Sequence, residues 1–350
     1  MGFLQKLLGD KGEKREANDK EKNKTESLPP GRSSPGWLSD NTMLELLARF
    51  FRGADPWTFI GKEHWNDVLG AKVEHVIERL RVDGALVQAP LELTLRHRYS
   101  ATDLKYLLSD RGLDQAGTQE EMIERLLASD REGVALLTAD ANVLVLSTEA
   151  RKAVIQYVKR ERERRETAER KSLVGLLQYD YLRAALAAGE YQKNSVFSRG
   201  VGLTFNNDDQ HENVQLLQKL FEKTPALLDD ISRKTLDALR PPAGMAFLWS
   251  RETAAEWIPE DLIVDGPWDA DTVCSMLRRH AQYLMDLEKY RDDNQNAFKV
   301  WSQLDSDSCP ACRSFHGEVY SLDTLPELPH VDCKSKRGCR CTVVTFAQAF

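Results

Sequence analysis

The sequence predicts a mainly α, multi-domain protein that ends in a small cysteine-rich module. Apolar residues recur at helical spacing through most of the chain, as at Val73, Val76, Ile77 and Leu80. A chain of 350 residues has room for two or three domains. Five of the six cysteines fall within the last 42 residues. The end of the chain is therefore expected to be held together differently from the rest.

Composition divides the chain into four predicted segments. Residues 1–36 are expected to form a disordered arm, because they are rich in charged and small residues with almost nothing to bury. Residues 37–134 are predicted to be a helical region, and residues 135–268 a central helical domain. Residues 269–350 are predicted to hold a long helix followed by the cysteine module.

Two finer expectations concern helix boundaries in the second half of the chain. Pro241 and Pro242 are expected to end a helical stretch, because proline lacks the backbone N–H that a helix interior needs. Apolar residues from Val273 to Tyr290 recur at helical spacing, so one helix is expected over 269–301.

The overall charge and the apolar runs limit the function classes. The formal net charge is −7, so a general polyanion binder is excluded and any nucleic-acid contact must use a local basic face. No apolar run reaches the length that spans a bilayer, and no secretory signal is recognisable, so no membrane partner is expected. We therefore expect a cytoplasmic protein whose cysteines stay reduced.

The spacing of the C-terminal cysteines predicts a zinc site. Cys309 and Cys312 form a Cys-x-x-Cys knuckle, in which two intervening residues let both sulfurs face one point. Further ligands follow downstream, and six residues compete for four positions. The metal-ligand candidates are Cys309, Cys312, His330, Cys333, Cys339 and Cys341. Cys309 and Cys312 are the firmest, Cys333 and either Cys339 or Cys341 complete the set, and His330 is the main substitute.

A disulfide or redox pair is the alternative interpretation of the knuckle. A Cys-x-x-Cys oxidoreductase would need a βαβ context, which the sequence lacks. A catalytic zinc would need an open position and a nearby carboxylate, and no His-x-Glu pattern accompanies the cysteines. The cysteine-rich set therefore favours structural zinc. Lys334, Lys336, Arg337 and Arg340 also make this loop basic, so contact with phosphate is a hypothesis.

A helical hairpin is predicted over 99–130. Leu104, Leu107 and Leu108 lie on one helix face, and Arg111-Gly112-Leu113 breaks that helix. Thr118 is the predicted N-cap of a second helix. Its capping-box partner is Glu121, and its apolar stripe is Met122, Ile123, Leu126 and Leu127.

This string resembles the SAP motif, whose pattern runs Leu-x-x-Leu-Leu, Arg-Gly-Leu, Gly-Thr-Lys and Ile-x-Arg-Leu. The resemblance covers about 35 residues and implies two short helices that bind DNA, often AT-rich, with little base readout. The residues it places at DNA are Lys105, Arg111, Gly117, Thr118, Gln119 and Arg125. Gln119 stands where the family usually has lysine, and 96–131 holds six basic against seven acidic residues. A hairpin kept for packing or for protein contact is the alternative.

The C-terminal cysteines carry a second resemblance. Trp301, Asp305, Cys309-Pro-Ala-Cys312, Gly317-x-Val-Tyr320, Leu328-Pro-His330, Cys333 and Cys339-Arg-Cys341 together resemble the C-terminal motif of phage head morphogenesis proteins, which are minor capsid components. The five residues between Cys333 and Cys339 exceed the spacing of that motif, and the longer upstream domain of the family has no counterpart here.

These observations predict a non-enzymatic, DNA-associated protein that binds DNA through the SAP-like hairpin and carries structural zinc at its C-terminus. Protein partners are a further expectation. Two alternatives remain: a phage-derived head morphogenesis or capsid assembly protein, and a metal-dependent hydrolase.

Overall fold

The computed structural model describes residues 35–197, 210–293 and 297–345, and it is mainly helical, as predicted. Contacts divide the chain into two compact units, one up to Glu163 and one from Arg164. The finer division at 134 and 268 stays a prediction. The predicted disordered arm lies outside the described residues except for Pro35 and Gly36, and Gly36 begins a short 3-10 helix. No described helix combines the length and apolarity needed to cross a membrane.

The described residues of the first unit form six helices, one two-stranded sheet and the start of a long helix. The helices are α1 Asn41–Ala48, α2 Glu63–Leu69, α3 Val73–Val82, α4 Leu91–Arg98, α5 Ala101–Ser109 and α6 Gln119–Leu137. The strands β1 Leu86–Gln88 and β2 Leu144–Leu146 pair antiparallel, with Leu86 opposite Leu146. The long helix α7 Thr148–Leu177 follows β2 directly and contributes residues to both units.

Helices α4, α5 and α6 form a small bundle that contains the predicted hairpin. Its core is built from the apolar stripes expected from the sequence, including Leu104, Leu108 and Met122, with Leu95 added from α4. Helix α6 is kinked at Asp130, whose backbone leaves the helical region. The Asp130 carboxylate accepts the Gly133 N–H at 2.9 Å, so it caps the final turns. The kink lies at the predicted end of the hairpin, but α6 continues past it to Leu137.

The capping box at the start of α6 is confirmed. The Thr118 hydroxyl accepts the Glu121 N–H at 3.3 Å, and the Glu121 carboxylate accepts the Thr118 N–H at 2.7 Å. We expect Thr118→Ala to lower the free energy of unfolding by about 1 kcal/mol, because one helix N–H loses its partner. Urea unfolding followed by circular dichroism measures this. Thr118→Ser keeps the hydroxyl, so its free energy of unfolding should stay within a few tenths of a kcal/mol of the wild-type value. Equal losses in both variants would contradict the capping role.

The described residues of the second unit form five helices and a small cysteine-rich sheet module. The helices are α8 Tyr181–Lys193, α9 Gln210–Glu222, α10 Arg233–Leu248, α11 Arg251–Ala255 and α12 Ala270–Asp292. The module adds the short helix α13 Pro310–Ser314 and the strands β3 Phe298–Trp301, β4 Val319–Tyr320 and β5 Thr342–Thr345. The strand order is β4-β3-β5, with both pairs antiparallel. The five C-terminal cysteines belong to the same core as the apolar faces of these helices.

Two of the expected helix boundaries are wrong. Pro241 and Pro242 lie inside α10, and all residues from Leu239 to Leu248 are buried, so packing of this helix outweighs the loss of two backbone hydrogen bonds. The helix expected over 269–301 ends at Asp292, and Trp301 lies in β3. In β3 buried Phe298 and Val300 alternate with more exposed neighbours, which is the period of a strand.

His280 links α12 to the loop that follows β4. Its Nδ1 lies 3.0 Å from the Leu328 carbonyl oxygen, and its ring stacks on Tyr283. Burial lowers the pKa of His280, against the opposing effects of the Leu328 carbonyl and the Glu327 carboxylate. The unfolded chain therefore binds a proton more readily than the native protein. Stability should fall as pH drops below the unfolded value of about 6.5.

The measurement is the melting temperature from pH 7.5 to 5.5 in the wild type and in His280→Gln. We expect the wild type to lose more stability over this interval than the variant, because glutamine has no proton to gain. If the melting temperatures of both proteins fell equally with pH, His280 would not be the source of the pH dependence.

Candidate metal centre

Short secondary-structure elements bring the cysteines together. Cys309 is the N-cap residue of α13, with Pro310 in its first turn, and Cys312 lies within the helix. Cys341 immediately precedes β5, which pairs with β3. Cys333 and Cys339 flank the loop 334–338. The predicted clustering of distant cysteines thus depends on the antiparallel sheet, which places the two ends of the module side by side.

The sulfur positions fit a tetrahedral zinc ion. The Sγ atoms of Cys312 and Cys333 are 3.5 Å apart, those of Cys309 and Cys333 are 3.9 Å apart, and those of Cys312 and Cys339 are 4.0 Å apart. Four sulfurs bound at about 2.3 Å around one zinc ion lie about 3.8 Å from one another. All five cysteines are buried free thiols, so none is paired in a disulfide. The donor set therefore suits a structural metal.

Cys312 is the central sulfur of the cluster. Two groups of three ligand atoms, each within 4.8 Å of one another, share it. One group is Cys309, Cys312 and Cys333, and the other is Cys312, Cys339 and Cys341. Five thiols thus surround four positions, and the choice between Cys339 and Cys341 that the sequence left open stays open.

The histidines lie outside these sulfur groups. The His330 ring packs on Phe315 with centroids 4.3 Å apart, and its Nδ1 accepts the Asp332 N–H at 3.1 Å. The backbone N–H of His330 donates to Cys339 Sγ at 3.4 Å. His330 thus contacts the cluster through its backbone. Across the described ranges, both groups of metal-ligand atoms consist of cysteines alone.

Backbone donors favour the thiolate form of Cys309. Burial alone would raise the pKa of Cys309, but the N–H groups of Cys312 and Lys334 donate to its sulfur and the pKa falls below its ordinary value. Cys274 shows the contrast, since burial raises the pKa of this isolated thiol to about 12. A cysteine with a lowered pKa is prepared to bind a metal, whereas Cys274 behaves as a small apolar residue.

An ion pair lies next to the cysteine cluster and fixes the residue between Cys339 and Cys341. Arg340, between Cys339 and Cys341, donates two hydrogen bonds of 2.6 Å to the Asp305 carboxylate. This bidentate pair holds the pKa of Asp305 well below its usual range. Arg313 also donates to the Asp305 carbonyl oxygen at 2.6 Å. Both Asp305 and Arg340 belong to the motif quoted from the sequence, but spacing alone gave no signal that they pair.

The loop 334–338 packs against α12. It is the segment that exceeds the corresponding spacing in the phage head morphogenesis motif. Trp268 Nε1 donates to the Ser335 carbonyl oxygen at 2.9 Å, and Ser335 is buried. Gly338 has φ +69°, and a Cβ there would lie 2.8 Å from Met276 Sδ and 2.9 Å from Thr272 Cγ2. The extra residues are therefore fitted closely to the helix.

The hairpin residues predicted at DNA are largely engaged within the protein. Arg111 binds Asp130 through Nε at 3.0 Å and Nη2 at 2.9 Å, and Arg125 donates to the carbonyl oxygens of Asp114 and Ala116. Gln119, in the usual lysine position, donates to the Tyr99 carbonyl oxygen at 3.0 Å.

The remaining predicted DNA residues differ in availability. Thr118 caps α6, as described above, and Gly117 lies in the turn before it with φ +108°. Lys105 is exposed on α5, and neither a hydrogen bond nor an ion pair engages it within the described ranges.

Ion pairs neutralise most of the basic charge of this region. Four of the six basic residues over 96–131 pair with acids: Arg96 with Glu120, Arg98 with Asp140, Arg111 with Asp130 and Arg131 with Glu92. Because the partners come from other helices and loops, sequence counting gave the net charge but could not show which charges are occupied. Among the described residues, Lys105 and Arg125 are the two basic residues of this region without a carboxylate partner, and Arg125 is held by carbonyl oxygens.

Comparisons of the chain with models of known protein families, with curated proteins and with solved structures find no match.

Proposed function

We propose that this is a non-enzymatic protein that binds one structural zinc ion in its C-terminal module and associates with DNA through the SAP-like hairpin. The zinc part rests on one observation, the cluster of five buried cysteine thiols, in which three pairs of sulfurs lie 3.5–4.0 Å apart. Cys309, Cys312 and Cys333 would hold the ion together with Cys339 or Cys341. When bound, zinc would crosslink α13, the loop 334–338 and the start of β5.

A structural role fits the surroundings of the cluster better than a catalytic role. The thiols are buried, and the ligand groups found in the described chain contain no carboxylate and no histidine. A hydrolytic zinc needs an open position for water and a base beside it. A metal-dependent hydrolase is therefore the least supported alternative, and nuclease activity that survives Cys309→Ser would separate any hydrolysis from this site.

The DNA part rests on the helix pair α5 and α6, which has the apolar stripes, turn and capping box of the motif that the sequence resembles. Lys105 has neither an ion pair nor a hydrogen bond in the described part of the chain, so a phosphate would meet it without displacing an internal partner. Arg111 and Arg125 contribute instead to the shape of the hairpin. Weak, salt-sensitive binding with little base readout is the expected mode.

Lys105→Gln tests the hairpin as the DNA face. We expect a several-fold loss of affinity for a 20-base-pair duplex and a salt slope smaller by about one, because one phosphate contact is removed. The measurement is fluorescence anisotropy at several salt concentrations. Lys152→Gln is the matched control, since Lys152 is an exposed lysine of α7 in the same unit. Equal effects of the two substitutions would reject the hairpin as the contact.

A role in capsid assembly is the second candidate, favoured by the way the residues of the C-terminal motif fold together. Asp305 and Arg340 pair, and Cys312 and Cys339 meet, although they are far apart in sequence. This candidate predicts concentration-dependent self-association or co-purification with virion components. A monomer at all concentrations in sedimentation, with none of those components retained, would remove it.

A further inference from the structure

A polar cleft lies beside the cysteine cluster in the second unit. Its volume is about 620 Å³. Five cations line it: Arg251, Arg279, Lys336, Arg337 and Arg340. Asp269 is the one acid among its described lining residues. The cations come from α11, α12, the loop 334–338 and the residue between Cys339 and Cys341, so residues distant in sequence converge on one cavity.

Three of these cations are held by carboxylates. Arg251 pairs with Asp271, Arg337 with Asp307 and Arg340 with Asp305. These pairs fix the guanidinium groups at the edge of the cleft and reduce its net charge. Arg279 and Lys336 differ, because neither has an ion pair or a hydrogen bond within the residues that the structure describes.

Arg279 is the unusual member of the pair. It is half-buried on α12, and no carboxylate pairs with it among the described residues. A guanidinium group withdrawn from water without a carboxylate partner is costly, and proteins normally pair such a charge. Lys336 is exposed and opens onto the same cleft. An anion placed between them would supply the missing partner.

The other lining residues indicate how such an anion would be recognised. Thr272, Ser275 and Gln303 provide hydroxyl and amide groups, and no aromatic or aliphatic side chain belongs to the described lining. A nucleobase or acyl chain would find no apolar surface there. Recognition must therefore depend on charge and hydrogen bonds, which suits the oxygens of phosphate groups.

We propose that this cleft binds phosphate-bearing anions, with Arg279 and Lys336 as the principal contacts. The site lies in the second unit and is separate from the hairpin, so it is independent of the proposed DNA contact at Lys105. The competing explanation assigns Arg279 to the metal centre, because Cys339 and Cys341 lie near it and their thiolates would also balance its charge. The two explanations predict different consequences of removing the guanidinium group.

The test is calorimetric titration of the zinc-loaded full chain with pyrophosphate at physiological ionic strength. We expect the wild type to bind and Arg279→Gln/Lys336→Gln to bind at least tenfold more weakly with its zinc content unchanged. Lys171→Gln/Lys234→Gln removes the same charge from exposed lysines of this unit that do not line the cleft, and it should retain wild-type affinity.

Three results would overturn the proposal. They are no binding by the wild type, equal binding by the cleft and control variants, and loss of zinc with unchanged pyrophosphate affinity in Arg279→Gln. The single variant Lys336→Gln changes only an exposed side chain, so it should fold normally even if the double variant does not. It should weaken pyrophosphate binding several-fold, and wild-type affinity in this variant would also count against the site.

Competition with a DNA duplex identifies the source of the phosphate. If the duplex displaces pyrophosphate from both the wild type and Lys105→Gln, the cleft accepts backbone phosphates. If pyrophosphate binds and the duplex does not displace it, the cleft accepts a small phosphorylated ligand. Either result supports a phosphate site, and retained pyrophosphate binding in Lys105→Gln would show that a failure at the hairpin leaves the cleft intact.

Discussion

Cys312→Ser is expected to remove the metal and to destabilise the whole second unit. Cys312 belongs to both groups of closely spaced sulfurs, so its loss leaves neither group with three sulfurs close enough to hold one ion. Its neighbours in the core include apolar residues of α8, α10 and α12. Structural zinc contributes roughly 10–16 kcal/mol of binding free energy in small zinc-finger peptides. Even a fraction of that binding free energy exceeds the roughly 1 kcal/mol by which an average substitution lowers the free energy of unfolding.

The measurement combines zinc content per chain with thermal unfolding. We expect zinc to fall from one equivalent to near zero and the melting transition of the second unit to shift downward by many degrees. Cys274→Ser is the matched control, because Cys274 is a buried cysteine of the same core that lies outside the sulfur groups. It should keep its zinc. Similar zinc loss in both variants would contradict a specific centre at Cys312.

Gly338→Ala is expected to cause the second largest loss, by lifting the loop 334–338 away from α12. A Cβ at this position would approach Met276 and Thr272 at less than 3.0 Å, and both side chains are buried. The positive φ adds roughly 1–2 kcal/mol for any residue with a Cβ. Crowding in a packed core adds about 1–3 kcal/mol. We therefore expect a total loss of about 2–5 kcal/mol in the free energy of unfolding.

Gly317→Ala separates the two contributions. Gly317 has φ +80°, but a Cβ there meets nothing within 4 Å. This variant should show the backbone contribution alone, roughly 1–2 kcal/mol. Denaturant unfolding of both variants with zinc present gives the comparison. Equal losses would mean that the loop does not depend on close contact with α12.

Sequence reasoning succeeded where the signal is local. The hairpin could be predicted because apolar spacing, the break at Gly112 and the capping box at Thr118 all lie within a few residues. The cysteine cluster could be predicted because the Cys-x-x-Cys spacing aims two sulfurs at one point and three more cysteines follow within 30 residues. In both cases the residue types themselves carry the information.

The features that were missed depend on contacts between distant residues. Pro241 and Pro242 break local rules, but α10 is buried along this stretch and its packing decides the outcome. The ion pairs of Arg111 with Asp130 and of Arg340 with Asp305 join residues 19 and 35 positions apart. The convergence of Arg279 and Lys336 on one cleft likewise needs the fold, because α12 and the loop 334–338 belong to separate parts of the sequence.

The most direct test of the central claim is the metal content and metal environment of the purified full chain. Elemental analysis with zinc-edge X-ray absorption would give both. We expect one zinc per chain, surrounded by four sulfurs at about 2.3 Å. A folded protein that takes up no zinc, or whose zinc is surrounded mainly by nitrogen and oxygen, would contradict it.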